Sequence, residues 1–152
     1  MSDNPNVLVF PPLLYSGTVV VSLLLHWFKP WYLTHSWPVR IVGIALIVGA
    51  AALGIWGEKA LKRAGTNVNP MQPTLAIVSD GPYRFTRNPM YVGLILAYLG
   101  EAGLLRQIWP VILSPLVVVY VNWIVIPLEE SKLREVFGEQ YDLYRKKVRR
   151  WL

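Results

Sequence analysis

Four long apolar stretches dominate the chain, and they restrict it to folds in which apolar helices face lipid or one another. An α-helix needs about 20 residues to cross a hydrocarbon core of about 30 Å. Three stretches suit that length: Val7 to Phe28, Val39 to Trp56 and Ile108 to Leu128. The third in chain order, Met90 to Leu105, is shorter and carries Glu101. Composition agrees, with 54% hydrophobic and only 16% charged residues, against roughly 25% charged in a soluble domain. The expected fold is an all-α, polytopic membrane helix bundle with about four transmembrane helices and a carboxyl-terminal amphipathic helix at the cytoplasmic face. A length of 152 residues suits one domain. Within it, residues 1–57 would hold two amino-terminal spans, and residues 58–152 a polar loop, a helical hairpin and a tail. Asp3 and no basic residue precede the first stretch, so it does not read as a signal peptide and is expected to be retained.

The charges are sorted along the chain. Lys29 and Arg40 lie between the first two stretches and Arg106 between the last two. The other twelve of the fifteen lysines and arginines fall in the connection between stretches two and three or after stretch four. With four spans those twelve share one side, and the positive-inside rule puts that side, with both termini, in the cytoplasm. The net charge of +6 is then an orientation signal and a contact with anionic membrane lipids, and calls for no nucleic-acid partner. No metal site is expected either. The chain has no cysteine, and its two histidines, His26 and His35, are not at helical ligand spacing.

Small residues predict close helix packing: Gly43, Gly49, Ala50, Gly54 and Gly57 in stretch two, and Gly93 with Ala97 in stretch three. Pro110, Pro115 and Pro127 remove backbone donors from stretch four and predict a bend.

Chemistry is expected in two polar segments. The first is the second half of the connection Gly57 to Pro89, which is long for packed helices. It runs from Ser79 through Asp80-Gly81-Pro82, turn chemistry, to Asn88-Pro89, which predicts a helix start with Asn88 as N-cap and Pro89 at the first helical position. Free backbone N–H groups there, with Arg84 and Arg87, suit an anion; equally, arginines and tyrosines mark a membrane interface. The second segment follows stretch four. Glu129 and Glu130 point about 100° apart on a helix, so one of the two is expected to face inward. Their alternative is to be hydrated interfacial acids paired with Lys132 or Arg134. Beyond them Leu133, Phe137, Tyr141, Tyr144, Val148 and Trp151 make one apolar stripe on a helix that Gly138 can interrupt. Glu101 is expected to reach the opposite interface.

Taken together, Gly65-Thr66, the run Gly81 to Gly93, Glu129-Glu130, Leu133, Phe137-Gly138, Tyr141, Tyr144 and Val148 to Trp151 resemble the membrane-embedded methyltransferases of the isoprenylcysteine carboxyl methyltransferase family, relatives of small phospholipid N-methyltransferases. The resemblance covers the carboxyl-terminal three fifths of the chain. It implies binding of S-adenosylmethionine, with S-adenosylhomocysteine as product, without a Rossmann domain, and the chain indeed has no Gly-x-Gly-x-x-Gly fingerprint. It implies cofactor contacts from Tyr83, Arg87, Asn88, Pro89, Tyr91, Glu129 and Glu130, with Glu130 and Arg87 carrying the catalytic role, and a lipophilic small-molecule or lipid substrate. Asn88 stands where many members have histidine, and asparagine cannot titrate near neutrality. Ile124 to Pro127 stand where the eukaryotic members have an arginine that grips the acceptor carboxylate. Isoprenylcysteine-like carboxylates and phospholipid amines therefore both stay open as acceptors. So do an NADPH-dependent membrane reductase of related architecture and a non-catalytic membrane protein.

Overall fold

The computed structural model describes residues 11–69 and 72–152, and among these the fold is all-helical with no strands. Two helices come first, α1 (Pro11–Phe28) and α2 (Trp37–Arg63). A 3-10 turn at Gly81–Arg84 precedes α3 (Pro89–Leu105). One long helix then runs from α4 (Trp109–Tyr120) through a π-helical turn (Val121–Val125) into α5 (Ile126–Phe137). The tail ends in α6 (Glu139–Lys147). Residues 7–10 of the first apolar stretch lie outside the described residues.

Helix α2 exceeds its apolar stretch by almost two turns, because Glu58 and Lys62 pair across one turn and Ala60 and Leu61 favour helix. The long connection therefore starts at Ala64 rather than Gly57. Helices α2 and Trp109–Phe137 are long and apolar enough to cross a membrane. Only 11% and 17% of their most apolar windows are buried, which separates them from the core helices of a soluble protein. Ile41, Val48, Leu116 and Trp123 instead face outward, an apolar surface that water would not tolerate but lipid matches.

Packing centres on the α2–α3 pair. A Cβ on Gly43 would lie 2.6 Å from the Leu104 nitrogen, and one on Gly103 would lie 2.8 Å from the Gly43 Cα. Gly43, Gly100 and Gly103 thus let two backbones touch. Of the expected packing glycines, Gly43 makes this contact, whereas Gly49 and Gly54 have nothing within 4 Å of a Cβ position.

At one end of the bundle the α1–α2 and α3–α4 connections are zipped together. Leu33 donates to the Arg106 carbonyl (2.8 Å), Ile108 to that of Trp31 (3.2 Å), and the Trp31 and Trp109 rings stack at 5.4 Å. Glu101 does not reach an interface there. It is buried and accepts from Gln107 Nε2 at 2.6 Å, because Gln107 is itself drawn inward by the backbone pairing of its neighbours with Trp31 and Leu33. The α2–α3 connection and the tail meet at the other end.

Candidate functional site

The π turn in the long helix starts the site. Pro127 has no N–H, and the turn before it widens so that the Ile126 N–H bonds the Val121 carbonyl. In that register the donor for the Asn122 carbonyl would be Pro127, so the carbonyl is orphaned. Arg150 Nη1 supplies the missing donor at 3.2 Å. The Asn122 side chain holds the same strand of tail, its Oδ1 accepting from Trp151 Nε1 at 2.9 Å and from Arg150 Nη1 at 3.3 Å.

The tail reaches this point because the amphipathic stripe is not one helix. Gly138, at φ +52°, turns the chain between α5 and α6, a conformation that costs glycine little. Helix α6 stops at Lys147, and Val148 is extended. Tyr141 and Val148 of the stripe are buried, but on different elements. The extended end then lies along the entry to α3. The Arg87 N–H donates to the Arg149 carbonyl (2.9 Å), and Thr86 Oγ1 and Asn88 Nδ2 both donate to the Arg150 carbonyl (3.0 and 2.9 Å). The α3 entry also corrects one expectation. Helix α3 begins at Pro89 and Asn88 holds the N-cap position, yet its side chain makes no capping bond and instead donates Nδ2 to the Arg150 carbonyl.

Between these walls sit the two carboxylates. Glu130 accepts from Arg87 Nη1 at 2.9 Å and from Arg150 Nη2 at 2.7 Å, with only 11% of the Arg87 side chain and 12% of that of Glu130 exposed. Tyr91 Oη donates to Glu129 at 2.7 Å. Both glutamates are therefore engaged, not one: Glu129 meets Tyr91 of α3, and Glu130 meets Arg87 before α3 and Arg150 of the tail, the 100° between adjacent residues serving both. Neither relies on Arg134, which pairs with Asp142 on α6 at 2.8 Å. Arg87 Nη1 also meets Tyr141 Oη at 3.3 Å, and Tyr144 Oη donates to the Tyr83 carbonyl at 2.7 Å. Burial, and then the charge of Glu129, push the Tyr83 phenol up to about 12; burial raises Tyr144 as well. At this end of the bundle Arg87 Nε and Lys132 Nζ are buried without a hydrogen-bond partner.

Of the residues singled out in the sequence, Arg87, Asn88, Tyr91, Glu129 and Glu130 thus meet through direct bonds or through Arg150. Pro89 is buried as the first residue of α3, and Tyr83 stands beside them in the 3-10 turn. Sequence reasoning passed over Asn122, Thr86 and Arg150. Asn122 had a signal, being the one amide side chain inside a largely apolar stretch four; Arg150 was hidden among four basic neighbours.

Below this polar layer the interior is apolar. A groove of about 460 Å³ opens between α1 and α4, lined by Leu13, Gly17, Val21, Leu113, Leu116 and Tyr120. It shares Leu14, Thr18 and Val117 with a smaller cavity that Tyr91 also lines.

Lipid-matched helices capped at one end by a buried arginine–carboxylate centre define a membrane-type helical protein with a polar site at one bundle end. The sequence profile described as phospholipid methyltransferase matches residues 39–140, and the chain belongs to that family. It is also 39% identical over 72 residues to a protein-S-isoprenylcysteine O-methyltransferase of Schizosaccharomyces pombe; the match covers 47% of this chain and 30% of that protein. The chain thus spans under a third of that relative's length. No solved structure is significantly similar to the chain.

Proposed function

We propose that the chain is a single-domain integral membrane methyltransferase that uses S-adenosylmethionine and methylates a lipophilic acceptor. In this reading α1, α2, α3 and the Trp109–Leu128 part of the long helix each cross the bilayer. Both termini, the α2–α3 connection and the amphipathic tail then lie in the cytoplasm, together with twelve of the fifteen basic residues. The observation that carries it is the junction of Arg87 with Glu130 and of Tyr91 with Glu129, residues about forty apart in sequence, under the folded tail.

The residues present fit the cofactor. Arg87 keeps a buried, unpartnered Nε for a carboxylate, Glu129 and Glu130 suit an ammonium and ribose hydroxyls, and Tyr83, Tyr91 and Pro89 offer surfaces for a purine. When bound, S-adenosylmethionine supplies an electrophilic methyl carbon on its sulfonium. The chain's part is alignment and exclusion of water by the tail. Glu130, held between two guanidinium groups, orients. A carboxylate acceptor needs no base, whereas an amine must lose a proton, for which the glutamate pair offers the nearest acceptors. The groove between α1 and α4, which shares lining residues with the cavity at Tyr91, supports entry of the acceptor's hydrocarbon chain sideways from the bilayer.

The relative's name favours an isoprenylcysteine-type carboxylate and the family's description a phospholipid amine. Mass spectrometry of lipids methylated from isotopically labelled cofactor separates these acceptors. The cofactor reading is tested by calorimetric titration of detergent-purified protein with S-adenosylhomocysteine. Binding that weakens at least tenfold in Arg87→Ala and Glu130→Ala supports it; no binding, or binding indifferent to both changes, refutes it. Displacement by NADPH would point instead to a reductase.

A further inference from the structure

Among the described residues near the glutamate pair, Lys132 is the charged side chain whose group makes no hydrogen bond. It stands three residues after Glu129 on α5, hence on the same helical face and within electrostatic range of it. Its ammonium is closed off from solvent without a hydrogen-bond partner. Neighbouring charges are treated differently: Glu130 has two guanidinium partners, Arg134 has Asp142, and Glu129 has the Tyr91 phenol. An ammonium buried without partners costs the folded chain stability that an apolar side chain of similar length would not. Such a cost is sustained where the group meets a ligand. Arg87 Nε is likewise buried without a hydrogen-bond partner, so this end of the bundle has donors to spare for an oxyanion.

We infer that Lys132 is a ligand-binding residue that holds an oxyanion, a carboxylate or phosphate, at this site. The inference rests on the methyltransferase reading and deepens it, since the oxyanion has two sources: the amino-acid carboxylate of the cofactor or the head of an anionic acceptor. Stretch four has no basic residue before the glutamates to do this, and Lys132 does it from one turn after Glu129.

The test compares Lys132→Met and Lys132→Arg with the parent chain in an uncharged maltoside detergent. Three probes are titrated: S-adenosylhomocysteine; methylthioadenosine, which lacks the amino-acid carboxylate; and dodecyl phosphate set against dodecanol. A tenfold or greater loss of S-adenosylhomocysteine affinity in Lys132→Met, with methylthioadenosine unchanged, supports the inference and assigns the cofactor carboxylate. A tenfold loss confined to dodecyl phosphate supports it and assigns the acceptor. In either case Lys132→Arg retains most of the affinity, and ligand-free Lys132→Met melts at or above the parent temperature because a buried ammonium without hydrogen bonds is gone. Unchanged affinity for all probes overturns the inference, as does a lowered melting temperature with binding intact, which would make Lys132 structural. If the parent chain ignores both nucleosides, the methyltransferase reading falls while the dodecyl phosphate titration still decides the role of Lys132.

Discussion

Glu130 is the residue on which the polar end of the bundle turns, because one carboxylate joins the α3 entry to the last residues of the chain through Arg87 and Arg150. Glu130→Ala leaves two guanidinium groups facing each other with little solvent. It should destabilise the protein by about 3–5 kcal/mol, read as a lowered midpoint of thermal unfolding in detergent, with Glu130→Gln losing less. Tyr83 gives a pH signature. Its phenol titrates near 10 in an unfolded chain and near 12 in the folded one. Its contribution is therefore complete below pH 10 and is lost as pH rises toward 12. Melting temperatures of the parent chain should decline across that window, and Tyr83→Phe should decline less steeply. The family resemblance pointed to Arg87 and the glutamate pair, whereas residue type alone left an interfacial reading open for them. Sequence reasoning reached only half of what Glu130 does, since Arg150 arrives through a fold-back that no local pattern records.

Among the elements, the long helix with its π turn explains why the tail docks where it does. Restoring the missing donor with Pro127→Ala returns an N–H to the helix and removes the orphaned Asn122 carbonyl that Arg150 serves. Amide exchange in residues 148–151 should then speed up, and Asn122→Ala, which removes the Trp151 anchor, should have the same effect. The α2–α3 contact responds oppositely to similar changes at different positions. Gly43→Ala forces a methyl group against α3 backbone and should cost about 1–3 kcal/mol, whereas Gly54→Ala meets open space and should be neutral or slightly stabilising. The helices themselves were legible from apolar runs and from Asn88-Pro89. The extent of α2 past Trp56 and the break of the stripe at Gly138 were not, because charged helix formers and a single positive φ leave no mark in apolar periodicity. Nor could composition tell Gly43, which touches Gly103, from Gly49, which touches nothing.

For the whole molecule, sorted charge and sorted connections make the same division: the sparsely charged loops zip together at one end, and the basic connection and tail interlock at the other. With no cysteine in the chain, single cysteines are clean reporters of sidedness. An impermeant maleimide applied to intact cells should label His35→Cys and spare Asn67→Cys and Lys146→Cys. The fold-back itself joins segments some forty to sixty residues apart, and the family relation links the same segments to methyl transfer. Hydrogen exchange with and without saturating S-adenosylhomocysteine tests that union most directly. Residues 83–91 and 129–151 should gain protection together while the Trp31–Trp109 end stays unchanged. Protection in neither segment, or in one without the other, would contradict a cofactor site built between the α3 entry and the tail.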